Sequence, residues 1–375
     1  MDLITALCHA LWMAFAMLWE ILWPLILGFG LSAVVQAVVS KSEMTKLLPD
    51  DSPKSLMIAC ALGAASSSCS YAAVALARSI FRKGANFTAA MAFQLASTNL
   101  VAELTIIIIV LMGWQFAVAE FLGGVLMVVL MALLFRMFLS NKLVAEARTQ
   151  AERGLKGKME GHAEMDMSVA EGSLWKRITS KDGFTATSHY FVMDLAAVWK
   201  DIAGGLLIAG ALAAWVPADF WQKFFLVSHP VAARIWGPMV GPIVAIFSFV
   251  CSVGNVPLAA VLWNGGISFG GVIAFIYADL IVLPIIDIYR KYYGWKVAGL
   301  IVAGFYLAMV GAALLVELFF NFLGMSPSQR SAQIVEMSIS FNYTTVLNII
   351  FLAIAALLLV RFFRTGGPRM LAHME

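Results

Sequence analysis

Two of the four cysteines, Cys69 and Cys251, are each followed directly by a serine, Ser70 and Ser252, within otherwise apolar stretches. A thiolate is disfavoured in apolar surroundings unless a cation or soft electrophile binds it, so such a pair suits a thiophilic substrate. Ser66, Ser67, Ser68 and Ser70 beside the first cysteine, and Ser252 and Asn255 beside the second, add hydroxyl and amide groups that can orient a ligand. The plainer reading is two small cysteines packed between helices. No CxxC pair or zinc-type spacing is present. Cys8 and Cys60 have no counterpart of this kind and are expected to pack.

Carboxylates form the second set. Asn99 and Glu103 are one helical turn apart and follow Gln94 and Ser97, and Asp279 occupies the equivalent place later in the chain. An ionisable group inside a membrane bundle is costly and marks a substrate or proton pathway. Glu103 and Asp279 are therefore candidate substrate contacts or proton carriers. Asp287, near Arg290 and Lys291, reads as an interfacial ion pair. Glu20, Glu120, Asp194, Asp201 and Glu317 also fall in or near apolar segments without an assigned role, Glu20 being the weaker substrate candidate near Trp23 and Pro24. HExxH, GxSxG, P-loop and dinucleotide fingerprints are all missing, and the five histidines are scattered. The sequence thus indicates neither an enzyme nor a cofactor, and no aromatic-interleaved basic stripe suits nucleic acid. Whether any of these residues binds a metal is left open.

The elements that must position these residues follow from composition. Of 375 residues, 62% are apolar and only 13% charged, and the mean hydropathy is +0.89; a soluble domain carries roughly 25% charged residues. The fold class is an all-α polytopic membrane protein. Apolar segments fall at about 8–39, 56–80, 86–112, 115–139, 190–216, 236–262, 267–288, 295–320 and 344–363, each long enough to cross a roughly 30 Å hydrocarbon core as an unbroken helix. The start lacks a basic signal-peptide region, so the first segment is expected to be a retained helix. Two segments look interrupted. Ala64–Tyr71 reads AASSSCSY, and Ser248–Pro257 reads SFVCSVGNVP, with Gly254 and Pro257 expected to shape the break. Irregular backbone at membrane depth is tolerated where it lines a covered polar cavity, so the breaks are candidate sites.

Sliding the chain on itself by 182 residues superposes Cys69-Ser70 on Cys251-Ser252, and nine of 27 positions in 69–95 match 251–277, including the turn glycines Gly84 and Gly266. The expected organisation is a first membrane repeat at 1–140, a cytoplasmic, flexible or partly helical linker at 141–189, a second repeat at 190–322, and a connection, C-terminal helix and tail at 323–375. If 56–80 and 236–262 are re-entrant hairpins, 22 of the 25 Lys/Arg residues lie on the cytoplasmic side, whereas nine full crossings scatter them. Three full crossings per half invert the second half relative to the first, the inverted repeat of many secondary transporters. Each half then holds three transmembrane helices plus a re-entrant or broken hairpin, with one additional C-terminal helix. This predicts a permease of the cytoplasmic (inner) membrane for a small substrate, driven by a proton or ion gradient. A channel or a structural membrane protein with packing cysteines is the alternative. Oligomeric state is not encoded in any feature of the sequence.

The runs CSYAAVALARSIFRKGANFTAAMAFQLASTNLV at 69–101 and CSVGNVPLAAVLWNGGISFGGVIAFIYADLIVLP at 251–284 resemble the paired Cys-Ser segments of the predicted-permease family that includes the organoarsenical efflux permeases. Ala75 stands where the second run has Pro257. The resemblance covers nearly all of the membrane region. It implies efflux of a trivalent organoarsenical or a related metalloid or metal species, with Cys69 and Cys251 as ligands.

Overall fold

A computed structural model describes residues 3–38, 47–66, 70–82, 84–152, 167–169, 174–215, 217–246, 252–327, 330, 332 and 343–368. All regular structure among them is helical. The first part of the chain forms α1 (Leu3–Val38), α2 (Pro53–Ser66), α3 (Ser70–Arg82), α4 (Phe87–Asn99), α5 (Ala102–Met112) and α6 (Trp114–Phe138). Two short helices follow, α7 (Asn141–Glu152) and α8 (Leu174–Thr179). The second part forms α9 (Lys181–Trp215), α10 (Ala218–Phe224), α11 (Pro230–Ile246), α12 (Ser252–Gly265), α13 (Phe269–Tyr277), a 3-10 turn (Ala278–Ile281), α14 (Leu283–Tyr293) and α15 (Trp295–Phe322). Helix α16 (Tyr343–Arg364) closes the described chain.

Four stretches are long and apolar enough to cross a bilayer: Phe87–Met112, Trp114–Phe138, Trp295–Phe322 and Thr344–Arg364. A fifth, Phe269–Ile281 with Leu283–Tyr293, is bent by 44°. The protein is an all-α polytopic membrane protein. Helix α6 shows the pattern lipid imposes. It buries Phe116, Ala119, Gly123 and Met127, and it exposes Phe121, Val125, Val129 and Leu133. Apolar residues on both faces are expected where no water drives the inner face together and small residues permit close approach.

Small residues set the closest packings. A side chain at Gly63 on α2 would strike the Phe93 carbonyl of α4, and a Cβ on Gly241 of α11 would lie 2.5 Å from the Gly271 carbonyl of α13. Gly210 of α9 likewise rests on the Ala10 carbonyl of α1, where a Cβ would approach to 2.5 Å. Helices α1 and α9 pack along much of their length, and α6 packs on α15.

Several expected boundaries move. Gly254 and Pro257 lie inside α12 instead of in a break, and Pro238 and Pro242 lie inside α11. Proline withholds one backbone donor from its helix, and neighbouring helices can carry that loss. Residues 247–251, between α11 and α12, are outside the described set. The stretch expected as a linker from 141 to 189 contains α7 and the start of α9, which begins at Lys181 instead of near 190. Arg148 on α7 and Arg177 on α8 hold these short helices to the bundle, through the Ala85 and Val38 carbonyls at 3.0 and 2.9 Å.

Candidate functional site

Among the sequence-derived candidates, Ser70, Asn99, Glu103, Ser252, Asn255 and Asp279 are described, and all are buried. Cys69, Cys251 and Ser68 lie outside the described residues. Ser70 is the first residue of α3, and its hydroxyl donates to Asp279 Oδ2 at 2.6 Å. Asp279 comes from the 3-10 turn, and this bond ties the two parts of the chain together. The start of a helix offers unsatisfied N–H groups and a positive dipole end, which favours an acidic group nearby. Asn99, the last residue of α4, lies within reach of the same carboxyl. Its amide nitrogen donates to the Leu95 carbonyl at 3.2 Å and to Thr98 Oγ1 at 2.9 Å, and its oxygen has no partner.

Two buried tyrosines fix the turn that carries Asp279. The Tyr277 hydroxyl donates to the Glu120 backbone carbonyl of α6 at 2.6 Å, and Gly123 leaves the space that the Tyr277 ring end fills. The Tyr289 hydroxyl of α14 donates to the Leu280 carbonyl at 3.1 Å and accepts from the Gln94 amide of α4. Ser97, which aligns with Asp279, turns back onto its own helix at the Gln94 carbonyl, 2.9 Å away. Glu103 sits in the first turn of α5, a helix packed against α12, where Ser252 and Asn255 reside. Helix α12 also touches the 3-10 turn. The candidates therefore come from helices that adjoin one another, with Ser70 and Asn99 each in reach of Asp279.

Other expectations fare differently. Asp287 pairs with Arg290 at 2.7 Å and with Lys291 at 2.8 Å, as its spacing implied. Cys60 is half-buried against the core and lines a groove with Met57, Val125 and Val129. Cys8 was expected to pack, yet it is exposed on α1, because the lipid-facing side of an apolar helix has the same composition as its packed side. The side chains of Glu20, Asp194 and Asp201 are outside the described set. Glu317 is buried and accepts from the Gly270 backbone N–H at the start of α13. Glu120, Tyr277 and Tyr289 had no assigned role in the sequence, although a glutamate within the apolar run of α6 was a visible signal. Among the described residues no group of three or more His, Cys, Asp or Glu side chains is arranged to hold a metal.

A buried polar centre within a bundle of membrane-crossing helices is an arrangement suited to passing a solute across a membrane. The chain belongs to the family described as "Predicted permease", whose model matches residues 6–318. It is also similar to "Putative permease Rv2963" of Mycobacterium tuberculosis strain H37Rv, with 62% identity over 338 residues covering 90% of this chain and 83% of that protein. No solved structure matches it.

Proposed function

We propose that this permease is a secondary-type exporter of the cytoplasmic membrane, built as an inverted repeat and carrying a small thiophilic substrate such as a trivalent organoarsenical or a related metalloid or metal species. Cys69 and Cys251 are its soft ligands, placed by sequence beside Ser68, Ser70, Ser252 and Asn255, with Asn99, Glu103 and Asp279 completing the polar site. A proton or ion gradient drives it.

The observation that carries the reading is a pair of arginines. Arg148 donates to the Phe81 carbonyl and, at 3.0 Å, to the Ala85 carbonyl, with its guanidinium 4.1 Å from the Phe81 ring centre. Arg330 donates to the Trp263 carbonyl at 2.9 Å and the Ile267 carbonyl at 3.0 Å, with its guanidinium 4.7 Å from the Trp263 ring centre. All three residues of the second set stand 182 positions after those of the first. Each arginine clasps a hairpin turn whose glycine, Gly84 or Gly266, has φ +113°. Duplication is the economical source of such a match.

The packing supports a two-fold relation between the halves. The equivalent pairs α1 with α9 and α6 with α15 contact each other, and the equivalents α3 and α12 each reach across, to α14 and α5. In the hairpin topology the two clasped turns face opposite sides of the membrane, Arg148 inside and Arg330 outside. Alternating access commonly operates by rocking such halves about a midplane site.

Everted vesicles test the transport reading. Phenylarsenite should accumulate saturably and only with an imposed gradient, and Cys69→Ser or Cys251→Ser should abolish this. If both variants fold and transport as wild type does, the cysteines are not ligands. Topology is tested by labelling Leu47→Cys and Leu323→Cys with an impermeant thiol reagent in a cysteine-free background; both native residues are exposed. The hairpin arrangement places the first inside and the second outside, and nine full crossings would reverse both.

A further inference from the structure

We infer that Glu120 of α6, acting with Asp279, is the site that binds and releases the coupling proton. This rests on the proposed gradient-driven permease and adds a residue outside its substrate site.

Glu120 is fully buried, and neither of its carboxyl oxygens has a hydrogen-bond partner. The charge that acts on it is Asp279, another acid, whose Oδ1 is also unpartnered. Nearby on α4, Gln94 Oε1 and Asn99 Oδ1 are unpartnered as well, while both amide nitrogens are already donating. Every one of these orphaned atoms is an acceptor. Buried polar atoms in native proteins are rarely left without partners, and an orphaned group calls for an explanation. Turning the Asn99 amide would set its oxygen against the Leu95 carbonyl. No donor among the described residues serves these oxygens.

A proton supplies one. Bound to a Glu120 oxygen, it converts an acceptor-only carboxylate into an acid whose O–H donates, and one negative charge disappears from a place without a cationic partner. On release, the same O–H bond breaks, the electron pair stays on the carboxylate, and the proton leaves to the opposite side. The position also suits coupling. The Glu120 carbonyl accepts from Tyr277, two residues before Asp279, and Asp279 holds Ser70 at the start of α3. A change of charge at Glu120 is thus felt at the residue that follows Cys69.

Infrared spectroscopy of the purified protein in nanodiscs, titrated with pH, reads this site without any transport substrate. Wild type should show a neutral carboxylic-acid carbonyl band that is lost in Glu120→Gln and displaced in Asp279→Asn. No such band in wild type, a band unchanged in Glu120→Gln, or a band governed by sodium instead of pH overturns the proposal. Should Glu120→Gln fail to fold, the wild-type band must still move in Asp279→Asn, and an unmoved band overturns it equally. In vesicles, Glu120→Gln should lose proton-gradient-driven phenylarsenite accumulation while phenylarsenite exchange persists; accumulation at the wild-type level, or loss of both in folded protein, refutes the coupling role. Absence of exchange in wild type would count against the permease substrate, and the infrared result would still decide the proton site.

Discussion

Ser70 and Asp279, 209 positions apart, are joined by a 2.6 Å hydrogen bond in a fully buried setting. The bond unites the start of α3 with a turn held by Tyr277 and Tyr289. Ser70→Ala leaves Asp279 Oδ2 without its donor and should cost about 1–3 kcal/mol of stability. Thermal unfolding in detergent checks this. Ser70→Thr keeps the hydroxyl and should recover part of the loss.

Arg148 and Arg330 each fork onto two carbonyls and cover an aromatic ring. Lysine offers a point charge without the planar fork, so Arg148→Lys and Arg330→Lys should lose most of the clasp although the charge is kept. Hydrogen exchange should localise the effect. Arg148→Lys should speed exchange in the Gly84–Ala85 turn, and Arg330→Lys in the Gly266–Ile267 turn, by an opening free energy lowered by roughly 1–2 kcal/mol. Cross-effects between the two turns would argue against independent clasps.

The two turn glycines should differ in tolerance. Both have φ +113°, where a side chain is strained. Nothing lies within 4 Å of a Cβ at Gly84, whereas one at Gly266 would run into Val227. Gly84→Ala should cost about 1–3 kcal/mol from backbone strain alone, and Gly266→Ala should cost more. Val227→Ala combined with Gly266→Ala should bring the second down to the first, which a double-mutant comparison of melting temperatures reads directly.

Outside the membrane-spanning helices, Asp50 accepts from Ser55 Oγ at 2.5 Å and from Ser52 Oγ and N–H at 2.7 and 3.1 Å, just before α2. These bonds, Ser55 first, hold its carboxyl below the ordinary carboxylate range. Because the folded value is the lower one, the contribution is complete above the ordinary range and is lost as pH falls through the lowered value. Backbone hydrogen exchange at the start of α2, compared with its intrinsic rate at each pH, should therefore quicken only under acid conditions, and Asp50→Asn should show the quicker exchange at neutral pH.

Membrane class, the apolar runs and the 182-residue spacing were legible because the signals are compositional and periodic. Position within those runs was harder to read. Gly254 and Pro257 look like helix breakers, yet α12 contains both, since neighbouring helices override local preference. Cys8 resembled a packed residue because lipid-facing and packed surfaces share a composition. Ser70, Asn99 and Asp279 were chosen as polar residues in apolar runs, and the structure brings the first two within reach of the third. Glu120 met the same criterion, but its neighbours are distant in sequence, and only folding reveals that its backbone carbonyl receives the hydroxyl of Tyr277, two residues before Asp279.

Helices α2 and α4 approach backbone to backbone at Gly63, and α11 and α13 do so at Gly241, with no cushion of large side chains between them. Surfaces in such contact cannot slide past each other without collision. Helices α2 and α11 are therefore planks, each fixed to its partner, α4 or α13. Movement that opens the centre is left to α3 and α12, or carries each fixed pair along as a single body.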